Sequence, residues 1–415
     1  MKPRALVIGG SLGGLFAAHL LRSIGWDAVV YERVTEDLAS RGVGIGTHDA
    51  LAELMHRIGL PFDDTMGVEV RSSICLERSG DISRTMPIFR IMSSWSRFYR
   101  PLRDALPVDC YRPGKSLVRV EQDGEGVAAI FADGTRATGD LLVGADGIRS
   151  TVREQFLPAA QPAYAGYVAW RAIAEEAKLP ASFRPIFDCY SFCLPDREMV
   201  LSYPVPGRDG ETRAGRRGYN AVWYRPADVE AALPDLCTDA SGRCHGVSIP
   251  PPLIRPDLVA ALRRDAQAML APAIAEIVLR MERPFFQAIF DLETPRLVFG
   301  RVALLGDAAF VARPHVGAGV TKAAVDAASL ADALASESGL EAALARYERQ
   351  QRDLGGAVVA RGRRLGAYLE GRTPDRDPIE VMREHSAKIK FTRADPAGRR
   401  SGQLRPDTRV DYYYD

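Results

Sequence analysis

The period of apolar and polar positions changes several times along the chain, and each change marks an element. Ala5-Leu6-Val7-Ile8 is an unbroken apolar run short enough for a buried strand. Glycines follow at Gly9–Gly14. Leu15 to Ile24 then has helical apolar spacing and stops at Gly25, a natural helix terminator. Ala28-Val29-Val30-Tyr31 is a second strand, so Arg4–Arg33 reads as a β-α-β unit. Alternation in Ser73–Arg78 marks a pair of strands within Val68–Met92, and Ser93–Leu106 reads as a helix. Leu117–Val120, Val127–Phe131 and Leu141–Gly144 read as strands, with Asp133-Gly134 as a hairpin turn.

Between about Tyr167 and Phe286 the chain is rich in aromatics and proline. Runs such as Met199–Tyr203 and Tyr219–Tyr224 give this stretch a β-rich character. Asp257–Glu282 has helical spacing and Leu297–Leu305 returns to strand. Gly319–Ser336 is an Ala-rich helix, and Leu340–Leu369 is a further helix with Arg on its polar face. Lys388–Asp415 is polar and reads as an arm or tail.

Length and charge narrow the class. A chain of 415 residues is too long for one simple core and predicts two or three lobes. A formal net charge of +1 argues against nucleic acid or an anionic membrane as the main partner. The apolar stretch after Met1 breaks at once into glycines, unlike a signal peptide, and no window holds 18 apolar residues. The expected location is therefore cytoplasmic. The six cysteines form no CxxC pair and join no histidine cluster, so they read as buried or incidental thiols and no metal is expected.

Three segments carry chemistry. In the first, Gly9-Gly10-Ser11-Leu12-Gly13-Gly14 lies between strand and helix, where a dinucleotide fingerprint must lie. Gly9 permits the tight turn and Gly14 a close helix–strand approach. The helix N-terminus offers N–H groups to a pyrophosphate. Ser11 replaces the usual middle glycine but is small. Glu32, beside Arg33, closes the second strand 18 residues after Gly14, where a carboxylate can accept from ribose hydroxyls and repel a 2′-phosphate. The bound nucleotide is then FAD or NAD, which this motif alone does not separate.

In the second segment, Asp140–Arg153, a strand ends in Asp146-Gly147 and turns into a helix. A ligand-facing turn and a plain Asp-Gly turn both fit. In the third, Gly300–Ala309, Asp307 lies just past a strand's carboxyl end, where ligands bind in open α/β sheets. Arg313-Pro314-His315-Val316-Gly317-Ala318-Gly319 then leads into a helix. Its glycines and helix dipole suit a negative charge that develops during reaction.

In this order the three segments resemble the FAD-dependent aromatic hydroxylases, the p-hydroxybenzoate hydroxylase fold family, over most of residues 1–370. The resemblance is nearest to that family's hydroxypyridine hydroxylases, through GGSLGG, Tyr164–Arg171, Tyr203–Gly207, Asp291–Arg296 and Arg313–His315. It implies an α/β fold in which a Rossmann-like FAD-binding domain (1–67, 93–166, 287–337) interleaves with a β-rich substrate domain (68–92, 167–286). C-terminal helices (338–387) and the tail (388–415) follow.

The family's chemistry would be hydroxylation of a small electron-rich ring, hydroxypyridine- or phenol-like, with NADH or NADPH and O2 through a flavin C4a-hydroperoxide. Asp307 would meet the ribityl chain, and Asp146 and Gly147 the pyrophosphate and transient NAD(P)H. Gly317, Gly319 and Val320 would line the flavin edge, and Pro314 would set its carbonyl near flavin and substrate. Three departures from the family pattern stand out. Phe310 and Thr321 occupy positions that often hold His and Asn, and Arg97 and Arg100 both compete for a flavin-contacting role.

His315 is a candidate base, against a loop histidine held by backbone contacts. Tyr190, Phe192, Tyr203 and Trp223 are candidate walls of an aromatic pocket, against ordinary sheet core. Arg171 meets either an anionic substrate or a structural partner. The main alternative is a flavin oxidase or reductase without oxygen insertion. A halogenase lacks its W-x-W-x-I-P string here, and a plain NAD dehydrogenase or a non-catalytic module leaves Asp307 unexplained. A homodimer stays open.

Overall fold

A computed structural model of the chain describes residues 2–40, 44–372, 377–387 and 391. Most of the polar tail from residue 388 onward lies outside the described residues. The first strand, Arg4–Ile8, pairs in parallel with Asp27–Tyr31 on one side and Leu141–Gly144 on the other. Val302–Leu304 extends the sheet next to Leu141–Gly144, and Tyr111–Arg112 closes the far edge. These strands are short apolar runs because both faces of the sheet are covered, one by helix and the other by the ribbon of residues 117–139, so no polar alternation is needed. Leu12–Ser23 packs on Gly319–Ser336, and Leu340–Gly366 packs behind that helix. Leu117–Gln122, Val127–Phe131 and Arg136–Gly139 form a separate antiparallel ribbon.

The β-rich lobe is one nine-stranded mixed sheet. Its centre is Ala163–Glu175, Gly218–Pro226, Met199–Val205 and Cys189–Cys193, continued by the long pair Val68–Leu76 and Ile82–Ser94. Both ends of this sheet borrow strands that the sequence placed with the nucleotide-binding part. Gly44–Gly46 pairs with Ile82–Ser94, while Phe285–Glu293 and Phe310–Val311 build the opposite edge. The two lobes are thus stitched together by shared strands.

Both faces of the sheet's central strands are buried. One packs on helices Pro256–Met269 and Pro272–Leu279. The sequence expected one helix here. Pro272 splits it, because proline restricts the residue before it and removes an N–H. The other face, with Tyr167, Tyr190, Tyr203 and Tyr224, looks toward the Pro314–Val316 turn and is roofed by helix Pro378–Ser386 through Val381 and Met382. The expected single strand at Leu297–Leu305 is a tight hairpin, Val298–Phe299 with Val302–Leu304, turned at Gly300. Among the described residues no helix is long and apolar enough to cross a membrane.

Candidate active site

The first part of the site is a groove of about 410 Å³ at the carboxyl ends of the parallel strands. Among the residues expected from the sequence, Gly9, Ser11, Glu32, Arg33, Asp146 and Gly147 line it, together with Ile8, Tyr31, Leu38, Trp95, Lys115, Ala145 and Arg149. Its shape comes from backbone. Gly9 sits at φ +109°, and a Cβ there would lie 2.3 Å from the Ala145 carbonyl. A Cβ on Gly14 would lie 1.9 Å from the Gly9 carbonyl, so helix and strand approach as only glycine allows. Gly13 sits beneath Leu305 and Ala323, and Leu12 is buried. The Ser11 side chain does not cap the helix, which leaves the first-turn amides for a ligand.

Glu32 is buried and accepts from the Gly10 N–H at 2.7 Å and the Val34 N–H at 2.9 Å. Each oxygen keeps lone-pair capacity for a ribose hydroxyl. Asp146 turns back to accept from the Ser150 hydroxyl at 2.5 Å and the Val152 N–H at 3.2 Å, fixing the next helix start. Burial raises its pKa against those two bonds. Gly147, at φ +78°, leaves open space above the turn. A glycine cradle, an open helix N-terminus and a carboxylate at the ribose position fit the adenosine and pyrophosphate of FAD.

The second part lies at the late glycines. Asp307 is exposed at the end of its strand. A buried pair, Lys322 with Asp326 at 2.6 Å, fixes the turn that presents it: Asp326 accepts the Gly306 N–H at 2.8 Å. Gly317 adopts φ +60°, and its N–H donates to the Pro314 carbonyl at 2.9 Å. Pro314 therefore shapes this turn through its carbonyl. Gly317 and Gly319 are exposed, Val320 is half-buried, and helix Gly319–Ser336 begins without a side-chain cap, so its positive end stays open. The two departures at this edge have local reasons. Phe310 is core against Gly355, and Thr321 bonds His48 Nδ1 at 3.1 Å. Arg97 binds the carbonyls of Thr65 and Gly210 and does not line the groove.

His315 joins this edge to the large sheet. Its Nε2 meets the Tyr167 hydroxyl at 2.8 Å, its ring lies 4.2 Å from that of Tyr224, and His385 stands edge-on at 5.4 Å. Burial, then His385, Arg313 and Arg171, hold its pKa well below 6.5, so the ring is neutral near neutral pH. Its Nδ1 is buried and meets no hydrogen-bond partner among the described residues. Tyr167 is held on its far side by Arg313, itself paired with Asp291 at 2.9 Å and with Glu370.

Tyr190, Phe192 and Tyr203 face this same interior, with Tyr190 and Tyr203 5.5 Å apart. Trp223 does not. Side chains alternate across a strand, and Trp223 points to the helix-covered face, where its Nε1 donates to Glu198 at 2.7 Å. Its neighbour Tyr224 takes the inner face. Sequence reading also missed Tyr167, His48 and Arg90. Tyr167 lay inside a quoted string, but only pairing shows its contact with His315.

With this geometry in view, similarity to known proteins is informative. The family model described as FAD binding domain matches residues 2–210 and 286–362, and a second, FAD binding domain-like, matches 164–291. The chain is 31% identical to 2,6-dihydroxypyridine 3-monooxygenase of Paenarthrobacter nicotinovorans, over 88% of this chain and 91% of that one. The solved 2,6-dihydroxypyridine-3-hydroxylase from Arthrobacter nicotinovorans superposes with a TM-score of 0.85 at 30% identity, covering 91% of this chain and 95% of that one. Klebsiella pneumoniae HpxO complexed with FAD and uric acid gives 0.72 at 27%, covering 92% of each chain. Motifs, groove and relatives agree, and the chain belongs to the FAD binding domain family, among the FAD-dependent aromatic hydroxylases.

Proposed function

We propose that this chain hydroxylates a small electron-rich aromatic or N-heteroaromatic ring, hydroxypyridine- or phenol-like, using NADH or NADPH and O2. Bound FAD would supply the electron transfer and oxygen activation. The observation that carries the reading is a neutral, buried imidazole with one spare ring nitrogen, two residues before the exposed glycines.

The chain's own groups divide the work. Glu32 and the amides after Ser11 would hold the nucleotide, and Asp307 the ribityl chain. Gly317, Gly319 and the positive end of their helix would favour negative charge at the flavin edge. Tyr167 fixes the His315 ring through Nε2, leaving Nδ1 to exchange a hydrogen bond, or a proton, with a ring hydroxyl. Tyr190, Phe192 and Tyr203 would wall the ring, and helix Pro378–Ser386 would exclude water.

The test is NADH and NADPH oxidation by the FAD-loaded protein under labelled oxygen, with a panel of hydroxypyridines and phenols. One ring should accelerate oxidation and carry label in its product. Oxidation with all oxygen recovered as peroxide across the panel would favour an oxidase and sink the hydroxylase reading.

A further inference from the structure

The aromatic side chains on the inner face of the large sheet form a circuit around His315, and the polar contacts within it have a direction. Tyr190, Tyr203 and Tyr224 make one side, with the Tyr224 ring 4.2 Å from that of His315. Tyr167 makes the other, and behind Tyr167 stands Arg313. Helix Leu340–Gly366 is cut away to seat these two. A Cβ on Gly366 would lie 2.6 Å from Arg313 Nη1 and 2.6 Å from the Tyr167 hydroxyl oxygen. One on Gly362 would lie 3.0 Å from the Arg313 backbone nitrogen.

Donor chemistry sets which way each hydrogen points. A guanidinium only donates. Arg313 gives Nε to Asp291 at 2.9 Å and Nη1 to Glu370, and the two acids balance its charge. It also hydrogen-bonds the Tyr167 hydroxyl. That oxygen therefore accepts from Arg313, and its single hydrogen is left for His315 Nε2 at 2.8 Å. Burial raises the Tyr167 pKa, so the phenol keeps this hydrogen. Nε2 is then an acceptor, and the one proton of the neutral imidazole sits on Nδ1. His315 is only 4% exposed, and its Nδ1 meets no partner among the described residues. A buried N–H without an acceptor is costly, and the cost falls when a ligand supplies one.

We propose that Arg313, acting through Tyr167, fixes the His315 proton on Nδ1, and that His315 holds the ring by donating to an exocyclic oxygen, the carbonyl oxygen of a pyridone. This rests on the hydroxylase reading and sharpens it: of the two exchanges open to Nδ1, hydrogen bond or proton, it selects the hydrogen bond. A nitrogen that already carries hydrogen cannot take one from the ring. Arg313 and Tyr167 are positioning residues. His315 is a specificity residue that separates a ring with an acceptor at this point from a neutral ring of the same size with a donor there. A donor would meet Nδ1–H hydrogen to hydrogen and leave both groups unpaired, a mismatch that buried sites reject strongly.

Two measurements on the FAD-loaded protein test this. In the first, binding of 2-pyridone and of aniline, both neutral and of similar size, is read from the perturbation of flavin absorbance. The pyridone should bind about 10- to 100-fold tighter. In Tyr167→Phe the ratio should shrink to about threefold, because either ring nitrogen can then carry the proton. His315→Leu should remove the rest, while His315→Gln, whose amide still donates, should keep part of it. Gly366→Ala drives a methyl between Arg313 and Tyr167 with both side chains kept, and should lower the ratio as Tyr167→Phe does. In the second, nitrogen NMR of histidine-labelled protein, with His315 assigned by its loss in His315→Gln, should show a protonated Nδ1 and a bare Nε2. Tyr167→Phe should show a mixture.

A proton on Nε2 in the unaltered protein overturns the inference, and so does a doubly protonated ring. A missing preference for 2-pyridone overturns it too, as does one that survives both Tyr167→Phe and His315→Leu. A shift of flavin reduction potential in His315→Leu with the ligand ratio unchanged also overturns it, since Nδ1 would then serve the cofactor. Pyridone preference without hydroxylation of any ring would overturn the hydroxylase reading alone, and hydroxylation without that preference this inference alone.

Discussion

The groove proposed for FAD and the interior circuit proposed for the ring are neighbours built on opposite principles. The groove is made from backbone: glycines that permit close approach, a helix that begins without a cap, and one carboxylate at a strand end. The circuit is made from side chains on the large sheet's strands, completed by His315 and roofed by a C-terminal helix. The difference teaches where each site is vulnerable. A groove of backbone fails when a Cβ is added, whereas a circuit of side chains fails when a polar group is removed.

Gly14→Val should give the largest effect. Its Cβ would meet the Gly9 carbonyl, which cannot move aside without tilting the helix from the strand. FAD affinity should fall by at least about 100-fold and stability by about 3 kcal/mol. Flavin retention on desalting and the melting temperature report both. A variant that keeps its flavin would show that the groove tolerates what the geometry forbids.

Trp223→Phe sharpens the contrast between the two faces of one strand. It leaves Glu198, already raised in pKa by burial, without its indole partner. Stability should drop by about 1–3 kcal/mol while ring affinity stays within about twofold. Tyr224, one residue on, faces the circuit, and burial pushes its pKa up to about 12. A large change in ring affinity for Trp223→Phe would contradict the assigned face.

The smallest effect is a pH dependence at His315. Its folded pKa lies below the unfolded value of about 6.5, so below that pH the unfolded chain binds a proton that the fold refuses. Stability is therefore retained above about pH 6.5 and lost as pH falls, at up to ~1.4 kcal/mol per unit from this group. Chemical unfolding of wild type and His315→Gln at matched pH should show a shallower acid loss in the variant. Parallel curves would mean that His315 is not held neutral.

The cofactor half of the molecule was legible in the chain because its signals are local. A glycine turn, the helix after it and the acidic strand end lie within residues 9 to 32, and amides or dipoles act wherever the backbone goes. The strand-end position of Asp307 and the turn before the helix at Gly317 and Gly319 were readable for the same reason. The substrate half was legible only as a set of aromatics. Both faces of the sheet's central strands are buried, so alternation there shows no wet side and gave no reason to prefer Tyr224 over Trp223.

Residue order by itself determined the β-α-β start, the nucleotide cradle and the exposed glycines before the long Ala-rich helix, since each is a property of contiguous backbone. Tertiary structure decided the rest. Strand parity chose which aromatics meet His315, and sheet sharing between the lobes drew Gly46 and Gly317 to one arginine. Folding of Pro378–Ser386 over the sheet buried Arg90 with no acid paired to it among the described residues. Convergence of side chains from distant strands depends on register and facing, and these are fixed only when the whole sheet closes.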